Sequence, residues 1–184
     1  MRLLYLVRHA SPQIQPELPS RDWVLSERGI AEAQTLAGAA ADWALEALYS
    51  SSETKARATA LIIGDAVGLS VRVADAFDEL RLADWIDNAD EFNDHVRAIL
   101  EGGEPPRGDE SSQEAAARFA AGVRIVEEGP FPAAVVSHGR VLTAWLTSIG
   151  AIEDPFEFWR QIPMPGWALI DLDAPRTLRS GFVA

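Results

Sequence analysis

The strongest constraint on the fold is an unbroken apolar run, LLYLV at residues 3–7, that ends in Arg8 and His9. A short run of this kind predicts a strand that is buried on both faces of a parallel sheet. The same design returns at residues 133–136, where AAVV is followed after one serine by His138. Because ligands of open α/β sheets bind beyond the carboxyl ends of the strands, we expect both histidines at one edge of one sheet.

Strand and helix patterns alternate along the rest of the chain. Besides the two strands before the histidines, the predicted strands cover residues 45–49, 71–73, 164–172 and 178–183. The predicted helices cover residues 26–42, 50–67, 84–101, 111–128, 139–149 and 154–160. This alternation predicts a three-layer α/β/α sandwich, with a mostly parallel sheet and one antiparallel edge strand. The length fits a single domain over residues 1–184, with a cap or insert at about residues 80–110.

Serine residues mark the predicted starts of three helices. Ser26 is a predicted N-cap, because a serine hydroxyl can accept a hydrogen bond from the unpaired N–H groups of a first helical turn. Ser50 with Glu53, and Ser111 with Glu114, have the spacing of capping boxes. We therefore expect helices to begin at these serines.

The composition excludes several classes of function. A formal net charge of −12 argues against general binding to nucleic acid or to an anionic membrane surface. The absence of cysteine excludes disulfides, thiolate catalysis and cysteine-bound metals, and it is typical of a reducing compartment. No apolar stretch has the length of a membrane helix or the form of a signal peptide, so we expect a cytoplasmic protein.

Arg57 and His138 extend the charged group formed by Arg8 and His9. Arg57 lies near the start of the helix after the second strand, and that helix also begins at the carboxyl edge of the sheet. Two imidazoles, two guanidinium groups and a helix N-terminus suit a compact oxyanion, and phosphate is the obvious candidate. A divalent metal is disfavoured by the two arginine charges. The third histidine, His95, is expected on a solvated helix face.

Six segments, in order along the chain, resemble motifs of the histidine phosphatase superfamily in its phosphoglycerate mutase-like branch. They are Leu6–Ala10, Leu25–Gly29, Ser51–Ala60, Glu79 with Trp85, Glu110–Arg118 and Val136–Gly139. The third segment is similar to the family pattern S-S-x-x-x-R-A-x-x-T-A, with Arg57 taken as its arginine. The resemblance covers roughly residues 2–150 and implies a phosphoglycerate mutase-like fold.

The resemblance implies a role for each residue of the charged group. His9 is the expected nucleophile, phosphorylated on a ring nitrogen. The phosphoryl oxygens are expected to be held by Arg8, Arg57, His138 and Gly139. Such a site needs in-line positioning and cationic stabilisation of the transferred group.

Glu79 completes the implied catalytic set. The resemblance makes it the proton donor to the leaving oxygen, and then the base that activates water. On the residues alone its neighbour Asp78 is a rival for this role, and the spacing to Trp85 favours Glu79. The implied scheme requires no metal ion and no cofactor.

The chain departs from the family pattern just after the first histidine. Ala10 stands in place of the signature glycine, and the usual threonine and asparagine are absent. Since the family asparagine contacts phosphate, Ser11 or Gln13 is a candidate to replace it. Trp85 is a further candidate substrate contact.

The resemblance implies a phosphomonoesterase that hydrolyses a small phosphorylated metabolite through a phosphohistidine intermediate. Phosphoglycerate mutase-type phosphoryl transfer is one alternative, and a catalytically silent phosphate-binding module is another. The mutases of this family carry long insertions around the site. The stretch between Trp85 and Ser111 is too short to hold such an insertion, and this favours hydrolysis. The expected partner is a small phosphate ester, with no nucleic acid and no membrane, and a homodimer is compatible with the sequence.

Overall fold

The computed structural model describes residues 1–105 and 108–174, and in this part of the chain one mixed sheet forms the centre of the fold. Its strands are β1 (Leu3–Arg8), β2 (Ala47–Ser50), β3 (Val71–Val73), β4 (Ala133–Ser137) and β5 (Gly166–Asp171). They lie in the order β3-β2-β4-β1-β5. Strand β5 runs antiparallel to β1 and every other pair is parallel, so the predicted sheet is confirmed. The strand predicted at residues 178–183 falls outside the described residues.

Helices cover both faces of the sheet. They are α1 (Glu27–Ala40), α2 (Thr54–Val67), α3 (Ala89–Leu100), α4 (Ser112–Glu127), α5 (Gly139–Ser148) and α6 (Pro155–Gln161). Leu4 and Leu6 of β1 pack with α3 to α6, whereas Val7 packs with α1 and α2. This alternation along a strand confirms the three-layer α/β/α sandwich. In the described ranges, no helix has both the length and the apolar character needed to cross a membrane.

Two of the three predicted helix caps are present. The Ser26 hydroxyl accepts a hydrogen bond from the Gly29 amide at the start of α1. Ser111 and Glu114 form the reciprocal hydrogen bonds of a capping box at α4. The capping box predicted at Ser50 is wrong.

The reason is that Ser50 belongs to the sheet. It pairs with Val136 of β4 and with Val73 of β3, and its hydroxyl donates to the Ser51 carbonyl. Helix α2 therefore begins later, at Thr54, and its N-cap residue Glu53 makes no side-chain capping hydrogen bond.

The segment before α3 also differs from its prediction. The helix begins at Ala89 instead of residue 84, because the Asn88 side chain accepts hydrogen bonds from the amides of Asp90 and Glu91. Residues 81–88 form a loop ahead of this cap.

His95 is not on a solvated face, contrary to the sequence prediction. Its side chain is 19% exposed, and its Nε2 lies 2.6 Å from Asp109 Oδ2. Asp109 Oδ1 also accepts a hydrogen bond of 2.7 Å from the Ala83 amide. Asp109 thus packs against His95 and ties down the loop before the helix.

Arg118 fixes the segment that carries Asp78 and Glu79. Its guanidinium forms a bidentate ion pair with the buried Glu110, with N–O distances of 2.9 and 2.7 Å. The same group donates to the backbone carbonyls of Ala76, Asp78 and Glu79. The Glu110–Arg118 motif therefore acts as a clamp, holding an irregular segment in place through its main chain.

Parallel pairing brings the ends of three strands level. The His9 amide donates to the Ser137 carbonyl at 3.0 Å, and the Ser51 amide donates to the Val136 carbonyl at 2.9 Å. The residues that directly follow β1, β2 and β4 are His9, Ser51 and His138. They meet at the carboxyl edge of the sheet, as ligand sites of α/β folds do.

Two glycines of α1 provide a test of this packing. A Cβ on Gly29 would lie 2.0 Å from the Ser11 carbonyl oxygen, whereas a Cβ on Gly38 would meet nothing within 4 Å. We expect Gly29→Ala to lower the free energy of unfolding by about 2 kcal/mol or more. Gly38→Ala should raise it by about 0.5–1 kcal/mol, through helix propensity. Urea unfolding measures both, and equal effects would contradict the close contact at Gly29.

Candidate active site

The structure brings together the two histidines singled out in the sequence. His9 is the residue that follows β1, and His138 is the residue that follows β4. The centroids of their rings lie 5.0 Å apart in an edge-on arrangement. His9 is 5% exposed and His138 is fully buried. Two imidazoles so close and so buried indicate a functional pair.

The hydrogen bond of His9 fixes its tautomer. His9 Nδ1 lies 2.8 Å from the Ala10 carbonyl oxygen, which can only accept, so Nδ1 carries the proton. The Ala10 amide in turn donates to the Thr59 hydroxyl at 3.1 Å. In the neutral ring, Nε2 then holds the lone pair and is the ring atom that is able to act as a nucleophile.

The tautomer of His138 is fixed through Ser51 and Asp78. Ser51 Oγ lies 2.7 Å from Asp78 Oδ1 and 2.8 Å from His138 Nε2. Because a carboxylate only accepts, Ser51 donates its one proton to Asp78 and accepts from His138 Nε2–H. In the neutral ring, His138 Nδ1 is left as a buried atom with no hydrogen-bond partner among the described residues.

These contacts also assign a place to Asp78. It lies behind Ser51 and accepts further hydrogen bonds from the Ser52 amide at 2.8 Å and from the Ser52 hydroxyl at 2.8 Å. Its carboxylate therefore orders the turn before α2. This position supports the choice of Glu79 over Asp78 for proton transfer.

Both histidines are held in the neutral form. Burial lowers the pKa of His9 well below 6.5, and the nearby His138 and Lys55 lower it further. Burial also lowers the pKa of His138 well below 6.5, although Glu79 acts in the opposite direction. A neutral imidazole is what nucleophilic attack by nitrogen requires.

Glu79 lies at the N-terminus of α5, close to the histidines. Its Oε1 accepts hydrogen bonds of 2.9 Å from the amides of Leu80 and Val141. Its Oε2 accepts one of 3.3 Å from the Arg140 amide and lies 3.5 Å from Arg140 Nε. Burial raises the pKa of Glu79, but Arg140 and its other partners more than offset this and hold the pKa below its usual value. Without a ligand, Glu79 is therefore an ionised carboxylate.

Arg8 and Gly139 lie side by side at the same edge. Arg8 Nη1 donates to the Ile162 carbonyl at 2.6 Å, while its Nε is buried and has no partner in the described ranges. A Cβ on residue 139 would lie 3.3 Å from Arg8 Nε, so glycine leaves room for the guanidinium. The position of both residues suits the phosphate contacts that the resemblance implies.

Arg57 lies outside this cluster, contrary to the prediction. Its side chain is exposed and has no hydrogen bond or ion pair with any described residue. Lys55 is buried instead, two residues earlier in α2 and therefore about 200° away around the helix axis. Its charge acts on both His9 and His138.

The sequence contained a signal for Lys55. When the family pattern is counted back from Thr59 and Ala60, its arginine-alanine pair falls on Lys55 and Ala56. When the pattern is counted forward from Ser51, its arginine falls on Ala56, one position before Arg57. Anchored on its carboxyl end, the pattern predicts Lys55 as the cation, and Lys55 is the residue that is buried.

Glu53 is a site residue that the sequence analysis missed. Its Oε2 lies 2.5 Å from Lys55 Nζ and 3.8 Å from His138 Nε2, and its Oε1 accepts from the Glu79 amide at 2.9 Å. Lys55 Nζ also donates to the Ser20 carbonyl at 2.7 Å. The sequence spacing predicted only a capping role for Glu53. Its burial in the structure is what places its carboxylate inside the cluster.

The three candidate substrate contacts lie elsewhere. Ser11 faces α1, where it hydrogen-bonds to Glu32. Gln13 is exposed, and Trp85 is 49% exposed with its ring 5.4 Å from that of Trp23. None of the three has a hydrogen bond or ring contact with the histidines in the part of the chain that is described.

The family follows from comparison with known sequences. The family model of the histidine phosphatase superfamily (branch 1) matches residues 4–176, which is almost the whole chain. The chain belongs to this superfamily, as the ordered motifs predicted. A search of curated proteins finds no significant match.

Solved structures share the fold. Native mycobacterial glucosyl-3-phosphoglycerate phosphatase is 21% identical, with a TM-score of 0.79 over 100% of this chain and 99% of that one. Phosphoserine phosphatase of Entamoeba histolytica, solved with 3-phosphoglyceric acid, is 20% identical, with a TM-score of 0.76 over 100% and 98%. A putative phosphohistidine phosphatase of Agrobacterium tumefaciens is 20% identical, with a TM-score of 0.58 over 100% and 97%. These similarities confirm the phosphoglycerate mutase-like fold.

The lowered pKa values of His9 and His138 predict a pH-dependent stability. In the unfolded chain both titrate near pH 6.5, so below that pH the unfolded state binds more protons. Stability that is present above pH 6.5 is therefore lost as the pH falls. Between pH 7.5 and 5.5 we expect the free energy of unfolding to decrease by about 1 kcal/mol for each histidine.

Urea unfolding of the wild type and of His9→Asn at the two pH values measures this effect. The variant should lose about half of the pH dependence, since only His138 then contributes. A wild-type stability that stays constant between the two pH values would contradict neutral buried histidines.

Proposed function

We propose that the protein is a phosphomonoesterase that hydrolyses a small phosphorylated metabolite through a phosphohistidine at His9. The observation that carries the proposal is the state of His9. Its ring is buried and neutral, Nδ1–H is held by the Ala10 carbonyl, and the Nε2 lone pair is free beside His138. An imidazole prepared in this way is a nucleophile, and the cations around it suit a phosphoryl group.

In the first step, His9 Nε2 forms a bond to phosphorus as the bond between phosphorus and the ester oxygen breaks. The leaving oxygen takes a proton from the Glu79 carboxyl group, and an alcohol is released. Arg8 and Lys55 offset the negative charge on the phosphoryl oxygens, and His138 donates to one of them by moving its Nε2–H from Ser51 to the bound group.

In the second step, water attacks the phosphorus atom of phosphohistidine. Glu79, now a carboxylate, accepts the proton of the water, the N–P bond breaks, and inorganic phosphate leaves. The proposed steps use only side chains of the chain and water, so they need no metal ion and no cofactor.

Glu79 must gain a proton before the first step, because it is ionised in the ligand-free site. A bound phosphate group brings negative charge next to its carboxylate, which raises the pKa of Glu79. The carboxylate therefore takes up a proton from solvent as substrate binds, and the general acid forms where it is needed.

The comparisons support a small phosphate ester as substrate. The similar structures include phosphatases named for glucosyl-3-phosphoglycerate and for phosphoserine. We further propose that residues 80–110 act as a cap on a single domain, since Trp85 of this region contacts Trp23 of the loop before α1. The lack of cysteine supports a cytoplasmic location.

Trapping the intermediate tests the proposed function. Wild-type protein incubated with a labelled phosphate donor should carry acid-labile phosphate, and His9→Ala should carry none, because the nucleophile is lost. The matched control is His95→Ala, which removes a histidine outside the cluster and should label normally.

Three other outcomes would contradict parts of the proposal. Labelling of His9→Ala would exclude His9 as the nucleophile. Phosphate release only when 3-phosphoglycerate is present as an acceptor would indicate mutase-type transfer. Neither labelling nor turnover on a broad panel of phosphate esters would indicate a phosphate-binding module.

Lys55 and Arg57 form a matched pair of variants on one helix. We propose that Lys55 supplies the cation that the sequence analysis assigned to Arg57, because Lys55 is buried beside the histidines and Arg57 is exposed. Lys55→Met should lower kcat/KM for a phosphate ester by about 100-fold, and Arg57→Met by less than about 3-fold. Steady-state kinetics measure both values, and the reverse order would restore Arg57 to the site.

A further inference from the structure

Arg140 is a half-buried cation whose guanidinium donates no hydrogen bond within the described part of the chain. Its side chain is 13% exposed. Its carbon Cζ lies 5.7 Å from the ring centroid of Phe92, and its Nε lies 3.5 Å from Glu79 Oε2. Its Nε–H is a donor that is buried without a hydrogen-bond acceptor, and such a donor is costly.

Arg8 presents a second unused donor, next to Gly139. The Nε atoms of Arg8 and Arg140 are both buried without a hydrogen-bond partner. Burial lowers the pKa of Arg8, and the Arg140 charge lowers it further although Glu79 acts in the opposite direction, so the two guanidinium groups act on each other. Like charges in a buried site are stabilised by an anion that both can bind.

On the basis of the proposed function, we infer that Arg140 binds the phosphoryl oxygens together with Arg8. It would supply the second guanidinium group that the sequence analysis sought in Arg57. Helix α5 places it there, because residue 140 directly follows the glycine that packs against Arg8. Bound phosphate would satisfy the unused N–H groups of both arginines.

This role connects phosphate binding to the general acid. Arg140 forms an ion pair with the Glu79 carboxylate and helps to keep it ionised. Each phosphoryl oxygen that Arg140 binds takes up donors and positive charge that otherwise face Glu79. Glu79 is then freer to take up the proton that the leaving oxygen requires.

The alternative role for Arg140 is to position Glu79 without touching phosphate. The two roles differ in which substrates are affected. Binding of the phosphoryl group is common to all esters, whereas help from the acid matters most for poor leaving groups. A loss shared by alkyl and p-nitrophenyl phosphate therefore indicates binding, and a loss confined to the alkyl ester indicates positioning.

The experiment compares wild type, Arg140→Met, Arg140→Lys and Arg160→Met. Arg160 is the matched control, because it is an exposed arginine with Cζ 6.0 Å from the ring of Phe156. Isothermal titration with inorganic phosphate gives the Kd of each protein, and steady-state kinetics give kcat/KM for both esters. Glu79→Gln provides the reference for loss of the acid.

We expect Arg140→Met to raise the Kd for phosphate by more than about 10-fold, and to lower kcat/KM by a similar factor for both esters. Arg140→Lys should be intermediate, since lysine restores charge without the planar fork. Arg160→Met should match the wild type.

An unchanged Kd for phosphate in Arg140→Met would overturn the inference, and so would a loss confined to the alkyl ester as in Glu79→Gln. If Arg140→Met does not fold, wild-type phosphate affinity and kcat/KM in Arg140→Lys would overturn it, whereas a weakened affinity would support it. A wild type that neither binds phosphate nor turns over either ester would instead refute the proposed function.

Discussion

The level ends of three parallel strands are the constraint on which the rest of the site depends. Pairing of β4 with β1 on one side and β2 on the other sets His9, Ser51 and His138 next to one another. Every later contact uses this alignment: the histidines face each other, Ser51 joins His138 to Asp78, and α5 begins beside Glu79. A register change in one strand would separate all of them.

Charge balance is the second determinant of the site. Lys55 and Arg140 bring positive charge into a buried region, and the carboxylates of Glu53 and Glu79 lie against them. These pairs keep the ligand-free site close to neutral, which allows a chain of net charge −12 to bury cations around two neutral histidines. Under the proposed function, an arriving phosphate group competes with these carboxylates for the same donors.

The alternation of apolar runs and capping signals predicted the sheet, its one antiparallel edge and the helices on both faces. The spacing of apolar residues and the capping residues of helices are local features, so they can be recognised in the sequence. Errors arose where a distant contact overrode a local signal. Ser50 looked like a helix cap but is paired into the sheet, and His95 looked solvated but is covered by Asp109. Arg57 and Lys55 are only two positions apart, and which of them faces inward depends on how α2 lies on the sheet.

By itself, the sequence determined the family, the α/β sandwich and the two histidines at one sheet edge. The reason is that each motif and each buried strand consists of residues that are neighbours in the sequence. Only the tertiary structure decided which groups surround those histidines and in what protonation state. The proton on His138 depends on Ser51 and Asp78, which lie in two other segments of the chain. The charge of Glu79 likewise depends on Arg140 and the first turn of α5. Such properties arise from distances between remote segments, and these distances exist only after the chain has folded.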